Sequence, residues 1–355
     1  MIKSQTKKKS LIMLKTKRVS LALLILLIGT SLSTVLLADE VGSFVNSADT
    51  KKYALIIVGA SADQEHAERF KEWALTLRTS LKDDYGYPVK QLTLLLGDED
   101  KNSFSIDGSS RVESIKSVFS NLSEKIKAND QLLVVLIGHG TGSGDQAKFN
   151  IVGPDITGVD FAKMLEPIAS KNIVVVNTAS ASHDFSQKVS LAGRIVVSAT
   201  RSRAEKYDTI FPLYFVEGLQ NQNADRDKNK RVSVLEAFDY ASSQVNNFYR
   251  DNDALASEHA GLDDNGDGVF SIKPGVQGDG RLAEVAYLDS IGGEGQALSP
   301  EAAKLRVQMD NIERDIFILR AGKKALTEEE YWGRIEPLLI QLAKTTREFD
   351  ALQAP

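Results

Sequence analysis

LLVVLIGHGTG, residues 132–142, runs six apolar residues straight into a glycine, a histidine and a second glycine. An apolar run of that length, stopped by glycine, reads as a strand buried on both faces. The same signature recurs at residues 53–58 before Gly59, at 92–96 before Gly97, at 173–176 and at 194–198. Between these runs the apolar spacing changes to that of helices. Phe70, Trp73, Leu77 and Leu81 fall on one stripe of residues 62–84. Val112, Ile115, Phe119, Leu122 and Ile126 do the same within 111–128, and 158–169 reads as a third helix. Strands alternating with helices predict an α/β fold: a mostly parallel sheet covered on both faces, a three-layer α/β/α sandwich. Such sheets hold ligands beyond the carboxyl ends of their strands.

Two of those ends carry chemistry. The third strand is followed by Gly138-His139-Gly140-Thr141-Gly142, the fourth by Asn177-Thr178-Ala179-Ser180-Ala181-Ser182-His183. Backbone between glycines can approach a substrate closely. A serine directly after a buried strand is held rigidly, as a nucleophile must be.

In this order and context the two loops resemble the caspase and legumain clan of peptidases. There a strand ending in His-Gly supplies the general acid/base, and the next strand ends in Ala-Cys-x-Ser-Gly, which supplies the nucleophile. The resemblance covers residues of about 53 to 270. It is closest to the bacterial legumain-like branch, through Ala147-Lys-Phe-Asn150, Gly153-Pro-Asp155, Ser198-Ala-Thr-Arg-Ser202 and Phe215-Val-Glu217. It implies a caspase-like sandwich over 53–220, His139 as general acid/base and Ser180 at the nucleophile position. The backbone amides of Gly140 and Ser180 would form the oxyanion hole. Arg201 and Glu205, in the loop after the fifth strand, and Ser182 and His183 are the expected substrate-binding groups.

The departure from that pattern is the nucleophile. The chain has no cysteine. A thiol is partly ionised near neutral pH, whereas a serine hydroxyl needs a base in hydrogen-bond reach, usually oriented by a carboxylate. Asp145 and Asp155 follow His139, but nothing in the sequence brings either to it. Thr178 stands where relatives carry an acidic residue, and His183 where they carry glycine. Three readings stay open: a serine-based peptidase, an inactive pseudopeptidase that binds peptide or protein, and an unrelated strand-end esterase. His66 shares the stripe of Phe70 and Trp73 and reads as a core or rim residue; His259 reads as structural.

Residues 221–290 form a further segment. Asp225, Asp227, Asn229, Arg231, Ser233 and Glu236 occupy positions 1, 3, 5, 7, 9 and 12 of an EF-hand-like calcium loop. Lys230 replaces its turn glycine. A second loop has Asp263, Asn265, Asp267, Val269 and Ser271, keeps Gly268, and has Pro274 at position 12. An amphipathic helix over Val234, Phe238, Ala241, Val245 and Phe248 joins them. The expected cofactor is structural calcium.

Residues 298–352 predict a helical hairpin that packs on the domain or on a partner. Leu305, Met309, Ile312, Ile316 and Leu319 face Tyr331, Ile335, Leu338, Leu342 and Phe349, and the second helix opens on the capping box Thr327 to Glu330. At the other end, seven basic residues between Lys3 and Arg18 precede an apolar run over 21–37. Residues 1–38 thus read as a signal peptide, or as an uncleaved anchor, and 39–52 as a linker. The chain is expected to be exported, periplasmic or secreted, and to touch a membrane only through that anchor. The net charge of −5 argues against a nucleic-acid partner.

Overall fold

The computed structural model describes residues 50–97, 106–275, 278–289 and 298–353. Residues 1–38 and most of 39–52, read above as leader and linker, lie outside them. Ten strands are present among the described residues: β1 (Lys52–Val58), β2 (Leu92–Leu96), β3 (Gly108–Ser109), β4 (Gln131–Ile137), β5 (Gly140–Thr141), β6 (Lys148–Phe149), β7 (Ile156–Thr157), β8 (Asn172–Asn177), β9 (Ile195–Ser198) and β10 (Gly261–Asp263). Seven form one sheet in the order β10-β9-β8-β4-β1-β2-β3. All its pairings are parallel except β10 with β9. The two-residue strands β5, β6 and β7 make a separate small antiparallel sheet.

Side chains alternate across the main sheet and feed two hydrophobic clusters. On one face Ile56, Leu94, Val135, Val176 and Val197 pack with Phe70, Trp73 and Leu77 of α1 (Gln64–Asp83), and with Phe215 and Phe238. On the other, Leu55, Ile57, Val134, Leu136 and Val175 pack with Phe119 of α2 (Val112–Lys125), Phe161 of α3 (Gly158–Leu165) and Phe185 of α4 (Ser182–Val189). The fold is therefore α/β, with a mostly parallel seven-stranded sheet flanked by helices, compatible with a three-layer sandwich. The central strands are buried along their whole length, the physical reason that they read as unbroken apolar runs.

Phe211–Leu219 forms α5, and Val234–Asp251 forms α6, capped by Ser233 and Glu236. The short α7 spans Arg281–Val285. The hairpin is α8 (Pro300–Ala321) and α9 (Glu328–Gln353). Its apolar seams meet as expected, Ile312 and Ile316 against Tyr331 and Ile335, and Met309 against Phe349. It also docks on the domain through charge. Arg231 is fully buried and binds Asp289, together with Asp310 and Glu313 of α8. None of the described helices is long and apolar enough to cross a membrane.

Candidate functional site

β4 and β8 are neighbours, with Leu136 opposite Asn177, so their carboxyl ends lie side by side. The β8 end is fixed by hydrogen bonds. Thr178 gives both its amide and its hydroxyl to the Leu136 carbonyl, Asn177 Oδ1 accepts from Ala179, and Thr209 donates to the Thr178 carbonyl. The chain then turns sharply into α4. Ala181 sits at φ 48°, the left-handed region that costs a non-glycine residue about 1–2 kcal/mol. Its amide is held by the Glu205 carbonyl at 2.9 Å.

The loop bearing His139 lies against this turn. A Cβ on Gly140 would stand 2.4 Å from the Ser180 carbonyl oxygen, so only glycine allows the approach. The Gly140 amide donates to Ser180 Oγ at 3.4 Å. Ser180 is 3% exposed. No hydrogen bond joins it to His139: the serine's partner is the Gly140 amide, and His139 Nε2 is buried with no partner.

His139 has a partner that the sequence did not reveal. Its Nδ1 stands 3.3 Å from Asp208, in the loop between β9 and α5. Asp145 is paired with Lys188 instead, and Asp155 accepts from the Ile151 amide. Burial pushes the His139 imidazole below its ordinary value, against the pull of Asp208. Burial thus favours the neutral imidazole. His66 also joins this group. Its Nε2 lies 2.5 Å from Asp208 Oδ2 and its Nδ1 2.7 Å from Asp63. Hydrogen bonds to Asp208, then to Asp63, raise its pKa. The helical stripe did place His66 beside Phe70, ring to ring at 5.7 Å. Periodicity could not say that the first turn of α1 ends beside the β4 loop.

The remaining expected groups have varied positions. Glu205 lies beside the Ser180 turn, bound by Arg201 at 3.2 Å and by His259 Nδ1 at 2.7 Å. Ser182 faces inward, its hydroxyl spent on Ser198 and Thr200. The His183 ring packs edge-on to Phe270, its Nδ1 without a partner, and burial lowers its pKa. Further along the same sheet edge, past β1 and β2, a cleft of about 230 Å³ is lined by Gly59, Ser61, Gln64, Phe70, Lys71 and Gly97.

In the first calcium-like loop the carboxylates of Asp225, Asp227 and Glu236 come within 4.8 Å of one another. Lys230 takes φ 64°, the conformation usually given to glycine at this position. Asn229 Nδ2 donates to Asp227, and Ser233 and Glu236 cap α6 reciprocally. The Arg231 side chain leaves the loop for the hairpin. The second loop differs. Asp263 is buried and accepts the amides of Asn265, Gly266 and Gly268, while Asp267 accepts from Val269. The backbone of Ser271 pairs with Leu262. Asp279 also lies beside this loop: it accepts from the Asp264 amide at 3.4 Å, and burial, with the nearby charges of Asp264, Asp263 and Asp267, raises its pKa to about 7.

No protein-family model matches this chain, and no curated protein matches it.

Proposed function

We propose that this protein is an exported, caspase- or legumain-like binding module that holds peptide or protein at the strand ends without hydrolysing it. One observation carries the reading: Ser180 Oγ receives the Gly140 amide proton and makes no bond to His139. A serine so placed has no base to remove its proton, and an oxyanion-hole donor is aimed at the nucleophile itself. The neighbouring cleft and the exposed Arg201 supply apolar and charged surface along the same edge. The second reading, a serine hydrolase, is favoured by Asp208, which stands 3.3 Å from Nδ1 of His139 as a triad carboxylate would.

Incubation with a diverse peptide pool separates the two. The parent protein and Ser180→Ala are expected to leave identical, uncut pools. New peptide ends that appear only with the parent would establish the serine hydrolase. Turnover of small esters but not peptides would favour an esterase.

The 225–236 loop completes the proposal as a structural calcium site, supported by its three converging carboxylates. At 100 times Kd, calcium would add about 2.7 kcal/mol to stability, a rise of several degrees in melting temperature. Asp225→Ala is expected to lose that rise. Equal melting with calcium and with chelator in the parent would remove calcium from the account.

A further inference from the structure

We infer that His66, His139 and Asp208 form a site for one divalent transition-metal ion of the zinc type. The three side chains come from separate segments: the first turn of α1, the loop after β4 and the loop before α5. Their ligating atoms nonetheless lie within 4.8 Å of one another. Two imidazoles and one carboxylate are a donor set that zinc and its neighbours prefer, with a fourth position left for water or a ligand atom.

The hydrogen-bond arithmetic at His66 points the same way. Both of its ring nitrogens face carboxylate oxygens, Asp63 at 2.7 Å and Asp208 at 2.5 Å. A neutral imidazole carries only one N–H, so one of these contacts would set two lone pairs against each other. The geometry requires one more positive charge between His66 and Asp208. Either a second proton or a metal ion provides it. With metal on Nε2, Nδ1–H donates to Asp63, the outer carboxylate that commonly orients a metal-bound histidine. The Asp208–His66 gap must widen by about 1 Å to accept zinc at bonding distance. Asp208 is half exposed on a loop, which leaves it room to move. Arg69, 4.0 Å from Asp208, is a cation that opposes the ion.

This inference does not rest on the binding-module reading, because it concerns neither Ser180 nor peptide. The test is calorimetric titration of the metal-stripped full chain with zinc, in saturating calcium, repeated with cobalt to read the visible absorption of a low-coordinate site. One equivalent is expected in the parent and in Asp225→Ala. Binding should vanish in His66→Ala and in Asp208→Asn, which keeps the loop's hydrogen-bonding shape. Asp63→Asn should weaken it by about 10–100-fold. Circular dichroism identifies the variants that remain folded. No binding by the parent, or undiminished binding by folded His66→Ala and Asp208→Asn, overturns the site.

Discussion

Arg231→Ala is expected to lower the unfolding free energy by about 3–5 kcal/mol, the range found when one partner of a buried ion pair is removed. The guanidinium is 0% exposed. Its Nε binds Asp289 at 3.0 Å, its Nη1 binds Asp310 at 2.5 Å and Glu313 at 3.2 Å, and its face lies 3.5 Å from the Tyr287 ring centroid. Burial works against its charge, and the three carboxylates together outweigh burial. The same balance holds Asp289 down at about 2, because Arg231, Lys52 and Arg306 overcome its own burial. Removing Arg231 would leave Asp310 and Glu313 buried without the guanidinium that binds them, at the joint between the domain and the hairpin, with the neighbouring charge of Arg306 acting on both. Chemical denaturation measures the loss. Arg231→Lys should recover only part of it, since an ammonium cannot form the planar fork. A loss below about 1 kcal/mol, typical of a surface pair, would show that the joint is wet rather than buried.

The second large effect is a pH dependence. Glu258 accepts the amides of Ile210 and Phe211 at the start of α5 and the hydroxyl of Tyr249. Burial raises its pKa from 4.5 to about 7, against the pull of those three hydrogen bonds. The unfolded chain therefore releases this proton at lower pH than the folded chain does. The associated stability is fully present below pH 4.5 and is lost as pH rises through about 7. For a shift of that size the loss approaches ~3 kcal/mol. Urea unfolding at pH 5 and pH 8, parent against Glu258→Gln, isolates this group from other raised acids such as Glu313. The parent should lose stability relative to the variant at the higher pH. An equal difference at both values would mean that the hydrogen bonds keep Glu258 ionised throughout.

The main strands were legible because each is buried on both faces, so its burial is written directly into consecutive residues. The hairpin was legible for a related reason: its seam repeats along two helices, and Ser299 and Thr327 mark their starts. Short elements left no such trace. β5, β6 and β7 are two residues each, below any periodicity, and β10 is three residues that end at Asp263, where the sequence begins a calcium-like loop.

At the site, the sequence determined which residues stand at which strand ends. Gly138-His139-Gly140 and Ser180 had to lie at one edge once β4 and β8 were parallel neighbours. Their relations were decided only by tertiary structure. Asp208 is 69 residues from His139 and 142 from His66 along the chain, and no spacing rule connects the three. The hydroxyl of Ser180 accepting from Gly140, rather than serving His139, depends on how two loops from different strands meet. The burial of Arg231 likewise belongs to the hairpin's docking, not to the loop pattern that singled it out. Local periodicity records which face of an element is dry. The direction of a polar side chain depends on which distant segment supplies its partner, and folding alone makes that choice.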